Sequence, residues 1–127
     1  MNYSYYNKMT QHKEIEKVWG KEIWIVNRDY CGKKLVLNKG FRCSMHYHKS
    51  KDETFYVIKG RVLIEIGKKR QVMLPGDSVW IPPSAKHRFT GLENSEIIEF
   101  STHHEDSDSY RETESGKVDL SKLELPK

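Results

Sequence analysis

Residues Gly40 to Gly60, GFRCSMHYHKSKDETFYVIKG, constrain this chain more than any other stretch, because they set His46, His48 and Glu53 at the spacing His-x-His-x4-Glu. Successive side chains of a β-strand point to opposite faces, so His46 and His48 project together while Tyr47 points away. Lys49-Ser50-Lys51-Asp52 holds no apolar residue and reads as a turn. Glu53 then opens Thr54-Phe55-Tyr56-Val57-Ile58, an aromatic and β-branched run expected to form the next strand and to bring its carboxylate beside the imidazole pair. Downstream, His87 follows Pro82-Pro83-Ser84-Ala85-Lys86 and precedes Arg88-Phe89-Thr90, at the start of a further strand. A lone strand histidine is ordinarily a packing residue, but three imidazoles and a carboxylate in this pattern suit a divalent transition metal.

These residues resemble the two signatures of the cupin superfamily. The first, Gly-x5-His-x-His-x3-4-Glu-x6-Gly, is met by Gly40, His46, His48, Glu53 and Gly60. The second, Gly-x5-Pro-x-Gly-x2-His-x3-Asn, is met by Gly76, Pro82 and His87, with Ser84 in place of its middle glycine and Gly91 in place of its asparagine. The resemblance implies an all-β fold, a double-stranded β-helix or cupin jelly-roll barrel, with the metal inside. It also implies that His46, His48, Glu53 and His87 are the metal ligands, for Zn, Mn, Fe or Ni.

One domain is expected over residues 1–127, with an N-terminal arm or short helix at 1–16, a barrel at 17–101 and a polar, solvated segment at 102–127. Hydrophobic residues make up 36% and charged residues 31%, a globular composition. The polar, aromatic start and the lack of a long apolar run lead to the expectation of a cytoplasmic protein with no membrane partner. The net charge of +4 is spread over predicted turns among acidic residues, and no nucleic-acid motif accompanies it. Cys31 and Cys43 are too few for a disulfide framework and read as reduced thiols. Trp24, Trp80, Phe55 and Phe89 are expected to pack the barrel. The run His103-His104-Glu105-Asp106 is consecutive and outside any strand pattern, and is read as solvated rather than as a second metal site.

For function, Glu16-Lys17-Val18-Trp19-Gly20, the stretch from Ile81 to Arg88 and the polar tail are similar to the mannose-6-phosphate isomerase-like group of cupins. That similarity implies a metal-dependent isomerase acting on a sugar or sugar phosphate. Arg42, which shares strand parity with His46, and Glu99, on a predicted barrel strand, are the candidate catalytic residues. The same ligands would also serve an iron dioxygenase, or a non-enzymatic sugar-binding protein. A homodimer is expected, with Tyr3, Tyr5 and Tyr6 covering a sheet edge of the neighbour.

Overall fold

The computed structural model describes residues 5–127, so Tyr3 lies outside the described residues. The strands are β1 (Lys13–Lys17), β2 (Gly20–Asn27), β3 (Tyr30–Leu37), β4 (Phe41–Arg42), β5 (His46–Tyr47), β6 (Glu53–Lys59) and β7 (Val62–Ile66). They continue as β8 (Lys69–Met73), β9 (Ser78–Ile81), β10 (His87–Gly91), β11 (Ser95–Thr102), β12 (Tyr110–Arg111) and β13 (Gly116–Lys117). All pairing is antiparallel, in two sheets. One runs β1-β2-β3-β11-β6-β9, and the other runs β12-β5-β10-β4-β13 with β7 and β8 added beside β10. The sheets face each other as a jelly roll, as the sequence resemblance implied. No helix is long and apolar enough to cross a membrane among the described residues.

Strand alternation divides the barrel interior into an apolar end and a polar end. Leu35, Leu37, Val57, Val62, Ile64, Met73, Phe89 and Ile97 form the apolar core, with Trp19 edge-on to Phe89 at 5.0 Å between ring centroids. Phe55 joins it. The same inward faces of β3, β6 and β11, continued toward the other end, carry Lys33, Glu53 and Glu99, all buried. Of the four aromatic residues expected inside, Phe55 and Phe89 are in the core, while Trp80 is 63% exposed. β9 alternates so that Ile81 points inward and Trp80 outward, where its indole N–H donates to Asp52.

Both terminal segments differ from their sequence expectation. Among the described residues up to Glu16 there is no α-helix; a 3-10 turn at Met9–Gln11 leads into β1, which pairs with β2. Its register sets Lys13 opposite Trp24, with the ammonium 4.4 Å from the indole centroid. The 102–127 segment folds back on the barrel, β12 pairing with β5 and β13 with β4. Its polar residues are acceptors for a stretch that lacks full sheet pairing: Thr113 Oγ1 receives the Met45 N–H at 2.8 Å and Ser115 Oγ the Ser44 N–H at 3.0 Å.

The two departures from the second signature are explained locally. Ser84 has φ of 70°, the positive value a glycine would supply, and its N–H donates to the His48 carbonyl at 2.6 Å, tying the two ligand runs together. Gly91 sits where a Cβ would stand 2.7 Å from the Asn38 carbonyl oxygen. Gly60 forms a restricted turn, with φ of +89° and a Cβ position 2.2 Å from Ser95 Oγ and 2.6 Å from the Asn94 carbonyl oxygen. Gly60→Ala is expected to destabilise the protein by at least about 1 kcal/mol, lowering the thermal midpoint by several degrees. An unchanged midpoint in differential scanning calorimetry would contradict this account of the turn.

Candidate metal centre

The register of the second sheet assembles the histidines. His46 on β5 stands directly opposite His87 on β10, with ring centroids 4.3 Å apart. His48, two residues on, lies on the same side, 5.1 Å from His46 and 5.6 Å from His87 between centroids. One ring nitrogen from each of the three histidines lies within 4.8 Å of the others, so the set is able to hold a metal ion.

The backbone fixes how these rings point. Nδ1 of His46 lies 2.8 Å from the Ser44 carbonyl, Nδ1 of His48 3.0 Å from the Asp108 carbonyl, and Nδ1 of His87 2.9 Å from the Ala85 carbonyl. A carbonyl can only accept, so each Nδ1 carries the proton and donates it, leaving the Nε2 lone pair free. The environment favours the neutral form of His46 and of His48. Burial, reinforced by the neighbouring His87, pushes His46 down to about 3, the Ser44 carbonyl and Glu53 only partly opposing it. Burial and then the Lys51 charge also lower His48.

Glu53, at the start of β6, brings its carboxylate beside two of the three rings. Oε2 is 3.4 Å from His48 Nε2 and 3.3 Å from His87 Nε2. Oε2 of Glu53 and Nε2 of His87 are both buried without a hydrogen-bond partner. Burial alone would raise the Glu53 carboxyl, but His87, Lys51 and His48 outweigh it and hold the group below the ordinary carboxylate range. With neither proton nor cation between them, these imidazole nitrogens and the carboxylate oxygen would be acceptors turned on acceptors, an arrangement whose desolvation cost a shared cation offsets. Three nitrogens and one oxygen, with no sulfur, match the preferences of Zn, Mn, Fe or Ni.

A buried charge cluster surrounds this point. The Lys51 ammonium lies 3.6 Å from Glu53 Oε1, 3.1 Å from Glu99 Oε2 and 3.0 Å from Nδ1 of His104. Burial opposes its charge, but Glu99 and Glu53 raise its pKa further than burial lowers it. With Lys51 on Oε1, Oε2 of Glu53 is left toward the histidines. His104, expected in solvent, is 9% exposed, accepting from Lys51 at Nδ1 and donating from Nε2 to Asp106 at 2.8 Å. Asp108 holds the loop between His48 and Glu53: its carboxylate accepts from the N–H groups of Lys49, Ser50 and Lys51 at 2.9, 3.1 and 3.0 Å, while its carbonyl orients His48.

Of the four expected ligand residues, the three histidines meet within 4.8 Å, and Glu53 lies beside two of them, His48 and His87, outside that set. Glu99 faces the same cavity, of about 660 Å³, and Arg42 does not line it. Arg42 pairs with Thr90, which alternates with His87 and Phe89 onto the other face of β10. Sequence reasoning missed Lys51, His104 and Asp108, and the only signal for the latter two was an acidic and histidine-rich run after the last barrel strand.

The Cupin domain family model matches residues 34–102 of this chain. The chain belongs to the cupin family. Over 88 residues, 68% of its length, this cupin is 30% identical to mannose-1-phosphate guanylyltransferase 2 of Escherichia coli, of which it spans 18%. An RmlC-like cupin from Shewanella frigidimarina superposes with a TM-score of 0.72 at 18% identity, covering 83% of this chain and 96% of that one. Streptomyces PAC13 with uridine superposes with a TM-score of 0.78 at 12% identity, covering 95% and 98% of the two chains.

Two expectations follow. The folded protein refuses a proton at His46 that the unfolded chain accepts near the ordinary value of 6.5, so this stabilisation is present above 6.5 and is lost as pH falls toward 3. In chelator-treated protein the urea unfolding free energy should fall between about pH 7 and pH 4, and His46→Gln should make the decline shallower. Identical slopes in the two proteins would refute the assignment. Asp108→Ala keeps the carbonyl that faces His48 but removes the carboxylate that holds the loop N–H groups, and should weaken metal affinity by about 10-fold through the loosened loop, as measured by competition with a chromophoric chelator. Unaltered affinity would leave Asp108 a surface cap only.

Proposed function

We propose that His46, His48, Glu53 and His87 hold a divalent transition metal and that this cupin is a metal-dependent isomerase of a sugar or sugar phosphate. The carrying observation is a pair of buried atoms without a hydrogen-bond partner, Glu53 Oε2 and His87 Nε2, 3.3 Å apart beside a cavity lined by His46, His48 and Glu53. The bound metal would supply Lewis-acid polarisation of the substrate carbonyl, with coordination positions left beyond the four protein donors. Similarity to an enzyme named for mannose 1-phosphate supports a sugar-related substrate.

In this reading Glu99 is the base that takes the proton from the carbon beside the carbonyl and returns it to the neighbouring carbon. It is a buried carboxylate lining the cavity, its Oε2 fixed by Lys51 at 3.1 Å and by the Ser101 hydroxyl at 2.9 Å. Lys51 bridges Glu99 and Glu53, so base and metal ligand are held on either side of one ammonium. Phe55 packs edge-on against both His87 and Phe89, so the site is backed by the apolar core on that side.

Metal-loaded protein incubated in deuterated water with mannose 6-phosphate, other aldose phosphates and the free aldoses should form ketose and incorporate deuterium at the carbon next to the carbonyl. Glu99→Gln should slow wash-in by at least about 100-fold with metal content unchanged. Absence of both product and deuterium across the panel would remove isomerisation, and oxygen uptake by the iron-loaded protein would put a dioxygenase in its place.

A further inference from the structure

Arg111 belongs to the tail segment that the sequence leaves without a role, and the register gives it a specific position. On β12 it stands directly opposite His46, which stands directly opposite His87. Residues opposite each other in an antiparallel ladder share a face, so Arg111, His46 and His87 form one row, with the Arg111 backbone about 4.8 Å from that of His46. Arg111 is exposed, at the mouth of the cavity that His46 and His48 also line.

The other cations lining the cavity are already committed. Lys33 is 1% exposed, 3.3 Å from Glu22, with its ammonium 4.2 Å from the Trp24 ring centroid. Lys51 is shared between Glu99 and Glu53, and Lys17 lies 3.9 Å from Glu22. An anion entering the interior would meet cations neutralised at short range and the carboxylates of Glu22, Glu53 and Glu99 behind them. Among the described residues Arg111 has no carboxylate within ion-pair distance, although Glu114 shares the cavity rim. Its planar fork suits a bidentate oxyanion.

Resting on the isomerase reading, and deepening it, we propose that Arg111 binds a terminal oxyanion, phosphate or carboxylate, of a small hydroxylated ligand whose other end reaches the histidine centre. The ligand lies along the His87–His46–Arg111 row with its uncharged hydroxyls inside and its charge at the mouth. Arg111 is then what selects an anionic sugar over a neutral one.

The test is calorimetric titration of zinc-loaded protein with mannose, mannose 6-phosphate and mannuronate. At least one anionic probe should bind about 10-fold or more tightly than mannose, and which one does distinguishes phosphate from carboxylate. Arg111→Gln should bring that ratio to within about twofold of unity with metal content unchanged, while Arg111→Lys, which keeps the charge, should retain part of it. Equal binding of the three probes, no binding of either anion, or a ratio that survives Arg111→Gln overturns the proposal. Anion preference lost in Arg111→Gln without deuterium wash-in would uphold this site and sink isomerisation; wash-in from neutral mannose with no anion preference would do the reverse.

Discussion

The centre depends on three hydrogen bonds from imidazole to main chain. Because Ser44, Ala85 and Asp108 each offer a carbonyl to an Nδ1–H, the three Nε2 lone pairs are aimed together before any ligand arrives. Aligned acceptors inside a barrel are costly, and Glu53 adds a fourth of the same kind. The rest of the interior offsets this local arrangement, with an apolar half that stabilises the fold and an ammonium that neutralises the carboxylates nearest the centre.

Lys51 is the hub of that compensation. A lysine in a turn ordinarily reaches into water, yet here its backbone N–H is held by Asp108 and its ammonium is enclosed by Glu53, Glu99 and His104. The loop connecting the second histidine to the glutamate is thus structured from both ends. The same arrangement links the metal centre to the proposed base, since one ammonium touches both carboxylates.

The tail after the last barrel strand completes the site. Asp108 orients His48, His104 closes the charge cluster, and Arg111 extends the histidine row to the cavity mouth. Polarity in this segment marks hydrogen bonding to the loop around Ser44 and Met45 rather than solvation. Composition does not separate those two situations, because a serine or aspartate facing water and one facing an unpaired N–H have the same sequence appearance.

The grouping of the candidate ligands was legible because its geometry is local. Two histidines two apart on a strand share a face, a short polar turn returns the chain, and the glutamate opens the following β-branched run; these relations are fixed by strand periodicity within a few residues. The strands themselves and the turn at Gly60 follow from the same short-range rules. Tertiary structure alone decided which remote groups support that set. The Asp108 bonds to His48 and to Lys51 join residues 60 and 57 positions apart, and the Lys51 contact with His104 spans 53. Such contacts have no period and no spacing to read, since they arise when a folded barrel presents unpaired donors and a passing polar segment satisfies them.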